Sequence, residues 1–168
     1  MALSEELKTR IRNEFPKYPE KRAVLISALH FVQEEQGGWI RPEVIPAIGE
    51  LLEIPAIDVK EVASFYAMFN ESAVGKRHVR VCTGLSCCLR GARGLQNRVE
   101  AELGVQPGEV TEDGVFSVGS VECLGSCGSA PMLQVNNRPY IENLAPDDVP
   151  ALLDNLRREV EAEEAESA

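Results

Sequence analysis

Five cysteines constrain this chain of 168 residues more than any other feature. They fall into two groups, Cys82-x4-Cys87-Cys88 and Cys123-x3-Cys127, and none lies in the helical stretch that precedes them. Such grouping points to a shared sulfur site rather than to independent buried thiols. The compartment narrows the chemistry. The start, Met1-Ala2-Leu3-Ser4-Glu5-Glu6, is acidic, and Lys8, Arg10 and Arg12 leave no apolar region for a signal peptide. No apolar run approaches the ~20 residues needed to cross a bilayer. A cytoplasmic location is therefore expected, and there clustered thiols serve metal or redox chemistry more often than a disulfide framework.

Spacing separates the possible sulfur sites. His78-Val79-Arg80-Val81-Cys82 alternates like a strand and Val115–Val121 reads as a second one, so Cys82 ends one strand and Cys123 follows the other. Parallel neighbouring strands deliver both to the same edge of a sheet, with Cys87 and Cys127 on the loops just beyond. Two loops with two thiolates each suit a binuclear iron–sulfur cluster, in which each iron takes two protein sulfurs. Four thiolates also suit structural zinc, although zinc knuckles commonly use x2 pairs. A thioredoxin-type C-x-x-C is missing, which disfavours a catalytic dithiol. Small residues around the thiols, Gly84, Gly125, Ser126, Gly128 and Ser129, allow backbone N–H groups to approach sulfur.

The rest of the chain reads as two domains and a tail: a helical domain over 1–74, a sulfur-bearing domain over 75–160 and an acidic tail over 161–168. Helices are expected at about 4–14 and from Pro19-Glu20 to Gly37-Gly38, the latter with a stripe of Val24, Leu25, Ala28, Leu29 and Val32. A third starts near Pro42, with Pro46 either kinking it or marking its true start, and faces inward through Val44, Ile45, Ile48, Leu51 and Leu52. A fourth follows Pro55, with Val59, Val62, Tyr66 and Phe69 on one side. In the second half a helix over 89–103 stops at Gly104, and Asn136-Asn137 suits a tight hairpin between Met132–Val135 and Pro139–Ile141. The last helix begins at Pro146 and buries Leu152, Leu153, Leu156 and Val160. Five glutamates from Glu159 onward suggest a frayed, solvated end. This order fits an α+β chain: a helical N-terminal bundle followed by a small thioredoxin-like α/β sheet domain. Hydrophobic residues at 44% suffice for such cores.

The formal charge of −10, with basic residues adjacent only at Lys21-Arg22, Lys76-Arg77 and Arg157-Arg158, offers no basic face for nucleic acid and no polybasic membrane patch.

The pairing of V-C-T-G-L-S-C-C-L-R-G-A (81–92) with V-E-C-L-G-S-C-G-S-A-P-M (121–132) resembles the 24 kDa-type subunits of respiratory complex I, the NADH–quinone oxidoreductase of bacteria included. The stretches Y-P-E-K-R-A-V-L-I-S-A-L-H-F-V-Q-E-E-Q-G-G-W-I (18–40) and V-A-S-F-Y-A-M-F (62–69) resemble the helical domain of that family, so the likeness spans residues 10–157. It implies a thioredoxin-like ferredoxin fold and one [2Fe–2S] cluster on Cys82, Cys87, Cys123 and Cys127. It also implies an electron-transfer role in NADH:quinone oxidoreduction, on the cytoplasmic side of the inner membrane without insertion. The implied partner is a flavin-carrying 51 kDa-type subunit that binds FMN and NADH, within a larger respiratory complex. A G-x-G-x-x-G fingerprint is missing here, so NADH is not assigned to this chain. The same module serves soluble NAD-linked hydrogenases and formate dehydrogenases, and a zinc-stabilised interaction domain is the non-redox alternative.

Cys88 departs from the family, which often has an apolar residue there; it is expected to be a small buried hydrophobe. His30 is expected at a core boundary and His78 in solvent. Trp39, Phe65 and Tyr66 belong either to the core or to a partner interface, and Arg90 and Arg93 either to the cluster's surroundings or to open surface. Ala145 stands where a Ser or Thr cap is usual, which weakens that helix start by ~1 kcal/mol.

Overall fold

Ser4 starts the first helix as its residue type allows: its hydroxyl oxygen accepts the Leu7 N–H at 3.1 Å and caps α1 (Glu5–Arg12). The computed structural model describes residues 2–167 and divides into two compact units, Met1–Ala73 and Val74–Ala168. In the first, α1 is followed by α2 (Leu25–Glu35), α3 (Ile45–Leu52) and α4 (Ala56–Phe65). The stripe Val24, Leu25, Ala28, Leu29 and Val32 is buried throughout, as are Val44, Ile45, Ile48 and Leu52. Short 3₁₀ turns at Lys21–Val24 and Pro42–Val44 lead into α2 and α3, so Pro42 opens the lead-in and Pro46 sits in the first turn of α3 itself. Gly49 lets α3 meet the next turn closely, because a Cβ there would lie 2.8 Å from the Ile54 carbonyl oxygen. Buried Gln33 donates to the Met68 carbonyl at 3.0 Å and accepts from the Asn70 N–H at 2.7 Å, tying the segment after α4 to α2.

One expected stripe does not run the length of a single helix. The fourth helix stops at Phe65, where Tyr66 turns to extended backbone (φ −90°, ψ 118°). Val59 is buried, but Tyr66 is 39% exposed, and Phe69, though buried, lies beyond the helix against the His30 ring.

The second unit is built on a four-stranded sheet of β1 (Arg77–Cys82), β2 (Phe116–Val121), β3 (Leu133–Val135) and β4 (Tyr140–Ile141), in the order β2-β1-β3-β4. Strands β1 and β2 are parallel, with Cys82 opposite Val121, and the other two pairings are antiparallel. The crossover from β1 to β2 carries α5 (Leu85–Leu89) and α6 (Ala92–Leu103), and α7 (Val149–Ser167) closes the chain. Alternation along β1 sends Val79 and Val81 into a core with Val118, Leu133, Leu95 and Val99 of α6, and Val149 and Leu153 of α7. His78 and Arg80 alternate to the opposite, polar side, where Arg80 donates to Gln134 at 3.0 Å and also to Asn137. Asn136 and Asn137 both have positive φ, 50° and 59°, as the hairpin requires.

Three expectations change in this unit. The helix expected over 89–103 begins only at Ala92, and a separate short helix, Leu85–Leu89, precedes it, the two parted by Gly91 at φ 93°. His78 is not solvated: it is half-buried, and its Nδ1 lies 2.7 Å from the Ser117 hydroxyl. The end expected to fray continues α7 through Ser167, with Glu163 paired to Arg77 at 2.6 Å and Glu164 paired to Lys76; Ala168 lies outside the described residues. At the start of that C-terminal segment, Ala145 lacks a capping side chain, but Asp148 accepts its backbone N–H at 3.0 Å.

Candidate metal centre

Parallel pairing places the cysteines. With Cys82 opposite Val121, the strands end together and the chain beyond β2 reaches Cys123 two residues later. Thr83, just after β1, donates its N–H to the Val121 carbonyl at 2.9 Å and keeps the two exits side by side. Gly84 lies between them: a Cβ there would sit 3.6 Å from the Cys82 sulfur, 3.7 Å from Cys123 Cβ and 3.0 Å from the Glu122 carbonyl oxygen. A side chain at Gly84 would thus press on the Glu122 carbonyl while meeting Cys82 and Cys123 at ordinary contact distance. Cys87 is on the short helix α5, where a loop was expected, because Gly84 opens a helical turn immediately after β1.

All five cysteines are free thiols, and they differ in surroundings. Cys82 and Cys87 are buried, Cys88 is half-buried, and Cys123 and Cys127 are exposed. Burial pushes the Cys87 thiol up to about 11, with a hydrogen bond to Cys82 and the charges of Cys82 and Cys127 adding to it. The Met132 backbone N–H works the other way, stabilising the thiolate. The Gly125 N–H points at the Cys123 sulfur, 3.4 Å away. Cys88, instead of being a small hydrophobe, donates its thiol proton to the Thr83 carbonyl at 3.1 Å and so turns back on its own helix start.

These observations test the donor set against a sulfur-ligated group. Among the described residues, no three His, Cys, Asp or Glu side chains gather as the ligands of a single metal ion would. What the two segments bring to this end of the sheet is Cys87 hydrogen-bonded to Cys82 and within the field of Cys127, with backbone N–H groups aimed at Cys87 and Cys123. In kind this donor set fits an iron–sulfur group, whose sulfurs take such hydrogen bonds.

Residues without a signal in the sequence complete the surroundings. The Tyr140 hydroxyl donates to the Leu124 carbonyl at 3.0 Å, and one oxygen of Glu142 accepts from both Ser126 and Ser129 at 2.5 Å. Those serines stood out only as small residues, and only the β3–β4 hairpin brings their acceptor to them. Leu85 and Leu89, 77% and 79% exposed, stand on the outer side of α5 with Cys87 on its inner side. Arg90 and Arg93 are exposed beyond them. Phe65 is exposed, and Trp39 is half-buried with the Arg41 guanidinium over its ring at 5.6 Å.

Comparison with known proteins agrees with this geometry. The profile of the thioredoxin-like [2Fe–2S] ferredoxins matches residues 11–157. The chain belongs to that family. Its sheet domain is accordingly a thioredoxin-like α/β ferredoxin fold, preceded by a helical bundle. Among similar proteins, NADH-quinone oxidoreductase subunit 2 of Thermus thermophilus is 46% identical over 158 residues, covering 93% of this chain and 87% of its own length. An NADH-quinone oxidoreductase subunit of Rickettsia bellii is 40% identical over 145 residues, covering 85% of this chain and 86% of its own length. A crystal structure of an NAD⁺-reducing [NiFe]-hydrogenase in the air-oxidized state aligns with 81% of this chain and 23% of its own chain, with TM-score 0.67 and 22% identity, a likeness of fold. No helix of the described residues is long and apolar enough to cross a membrane.

Proposed function

We propose that this ferredoxin-family chain is the electron-carrying subunit of an NADH:quinone oxidoreductase, with one [2Fe–2S] cluster held by Cys82, Cys87, Cys123 and Cys127. Electrons are exchanged with the FMN of a flavin-carrying, NADH-binding 51 kDa-type partner, and NADH oxidation belongs to the assembly rather than to this chain alone. The observation that carries this reading is the delivery of two cysteine segments to one end of the parallel β1–β2 pair. It is supported by the 46% identity to an NADH-quinone oxidoreductase subunit over 93% of the chain.

When bound, a [2Fe–2S] cluster supplies one-electron oxidation and reduction. The chain's own residues shape the conditions for it. Cys82 and Cys87 lie in the hydrophobic core beside Ala92 and Met132 and keep water from one side of the site. Cys123 and Cys127 stand at the surface, where a partner can approach. The N–H groups of Met132 and Gly125 offset thiolate charge. Leu85 and Leu89 offer an apolar rim that a partner surface would cover.

Anaerobic purification and metal analysis of the full chain test this. A brown protein with two irons per chain and an EPR signal on reduction is expected. Serine at Cys82, Cys87, Cys123 or Cys127 should each lower iron content sharply, while Cys88→Ser keeps it. A colourless chain with stoichiometric zinc, or loss of iron in Cys88→Ser alone, would refute the assignment. Co-purification from the source cells should recover a flavin-containing, NADH-binding subunit.

A further inference from the structure

Both thiols of the second cysteine segment are exposed, so the packing that holds Cys82 and Cys87 does not hold them. The structure supplies a different restraint from the β4 edge. Tyr140 donates its hydroxyl proton to the carbonyl of Leu124, the residue after Cys123, at 3.0 Å. Glu142 accepts from Ser126, the residue before Cys127, and from Ser129, the second residue after it, both at 2.5 Å. The Asn143 N–H continues the seam to the Ser129 carbonyl at 2.8 Å. Each exposed thiol is therefore adjacent in sequence to a residue anchored on β4 or just beyond it. Glu142 is exposed and Tyr140 is 46% exposed, so neither serves the core; what they hold is the segment 124–129.

The charge matters as much as the geometry. Adding an electron to a thiolate-bound cluster adds negative charge, and a carboxylate nearby opposes it. Glu142 also takes the hydroxyl protons of Ser126 and Ser129, and these bonds keep its carboxyl below the usual carboxylate range and therefore ionised at neutral pH.

We propose that Tyr140 and Glu142 are positioning residues of the metal centre: the β4 edge holds the segment carrying Cys123 and Cys127, and the Glu142 carboxylate biases the cluster toward its oxidised state. This rests on the reading of those two cysteines as ligands. The test uses the full-length, iron-bearing chain and its Glu142→Gln, Glu142→Ala and Tyr140→Phe variants. Iron release to a chelator and an EPR-monitored redox titration are the readouts, with far-UV circular dichroism to check the fold.

Glu142→Gln keeps an acceptor for both serines and removes the charge. It should release iron within about twofold of wild type. At a fixed ambient potential its ratio of reduced to oxidised cluster should rise on the order of threefold to tenfold, where tenfold corresponds to 59 mV for one electron. Tyr140→Phe should release iron several-fold faster with an unchanged titration. Glu142→Ala should show both effects, and if it fails to fold, the other two variants carry the test, since each alters one polar group without changing volume. A merely structural β4 edge would not move the Glu142→Gln titration. A wild-type titration for Glu142→Gln together with wild-type iron release for Tyr140→Phe would overturn the proposal while leaving the ligand assignment intact. A wild-type chain that binds no iron would overturn both.

Discussion

At the scale of single residues, environment separates side chains of one type. The thiolate is the form that reacts with alkylating agents, so a thiol that is buried and pushed up to about 11 reacts slowly. In the cluster-free chain at pH 8, iodoacetamide should modify the exposed Cys123 and Cys127 first and Cys87 last, in an order read by peptide mass spectrometry. His78 gives the pH dependence. Burial, then the nearby Arg80 charge, pulls it from 6.5 to about 4. Its folded value lies below its unfolded value, so between these pH values the unfolded chain binds the extra proton, and stability falls as pH drops through the window. The loss should reach roughly 2–3 kcal/mol by pH 4. Urea unfolding of wild type and His78→Gln from pH 7.5 to pH 4 checks this, because the variant should lose that share of the slope. The sequence placed His78 at the start of a strand but could not show that Ser117, 39 positions away, meets its ring.

At the scale of elements, periodicity was legible where burial has one source. The α2 and α3 stripes were readable because one face of each helix packs into one core. Tyr66 broke the pattern because α4 ends at Phe65 and the chain turns outward, which spacing alone cannot show. The C-terminal helix shows the same limit: its glutamates look solvated in sequence, yet the helix lies along the start of β1 and pairs Glu163 and Glu164 with Arg77 and Lys76. Exposed ion pairs of this kind contribute little, because solvent screens them. Buried Val160 contributes more, about 1.5–3 kcal/mol for full burial of such a side chain. Truncation after Val160 should therefore change stability little, whereas truncation after Arg158 should cost about 2 kcal/mol more, both measured by urea denaturation.

At the scale of the whole molecule, each of the two units has its own hydrophobic core. A group bound only by the folded second unit stabilises the elements that carry its ligands. Removing iron with a chelator should therefore lower amide exchange protection in β1, β2 and α5 while Leu29 and Ile48 of the first core keep theirs, as read by hydrogen exchange. What the sequence determined by itself is local: the helical stripes, the Asn136-Asn137 hairpin, the two cysteine groups and the family motifs around them. These follow from neighbours a few positions apart, which a chain displays before it folds. The tertiary structure decided the rest: the parallel register that sets Cys82 opposite Val121, the division into two buried and two exposed thiols, and the seam from β4 to the second cysteine segment. Those depend on which distant residues become neighbours when the sheet closes. A carboxylate such as Glu142 has no partner in sight until the hairpin carries it back to Ser126.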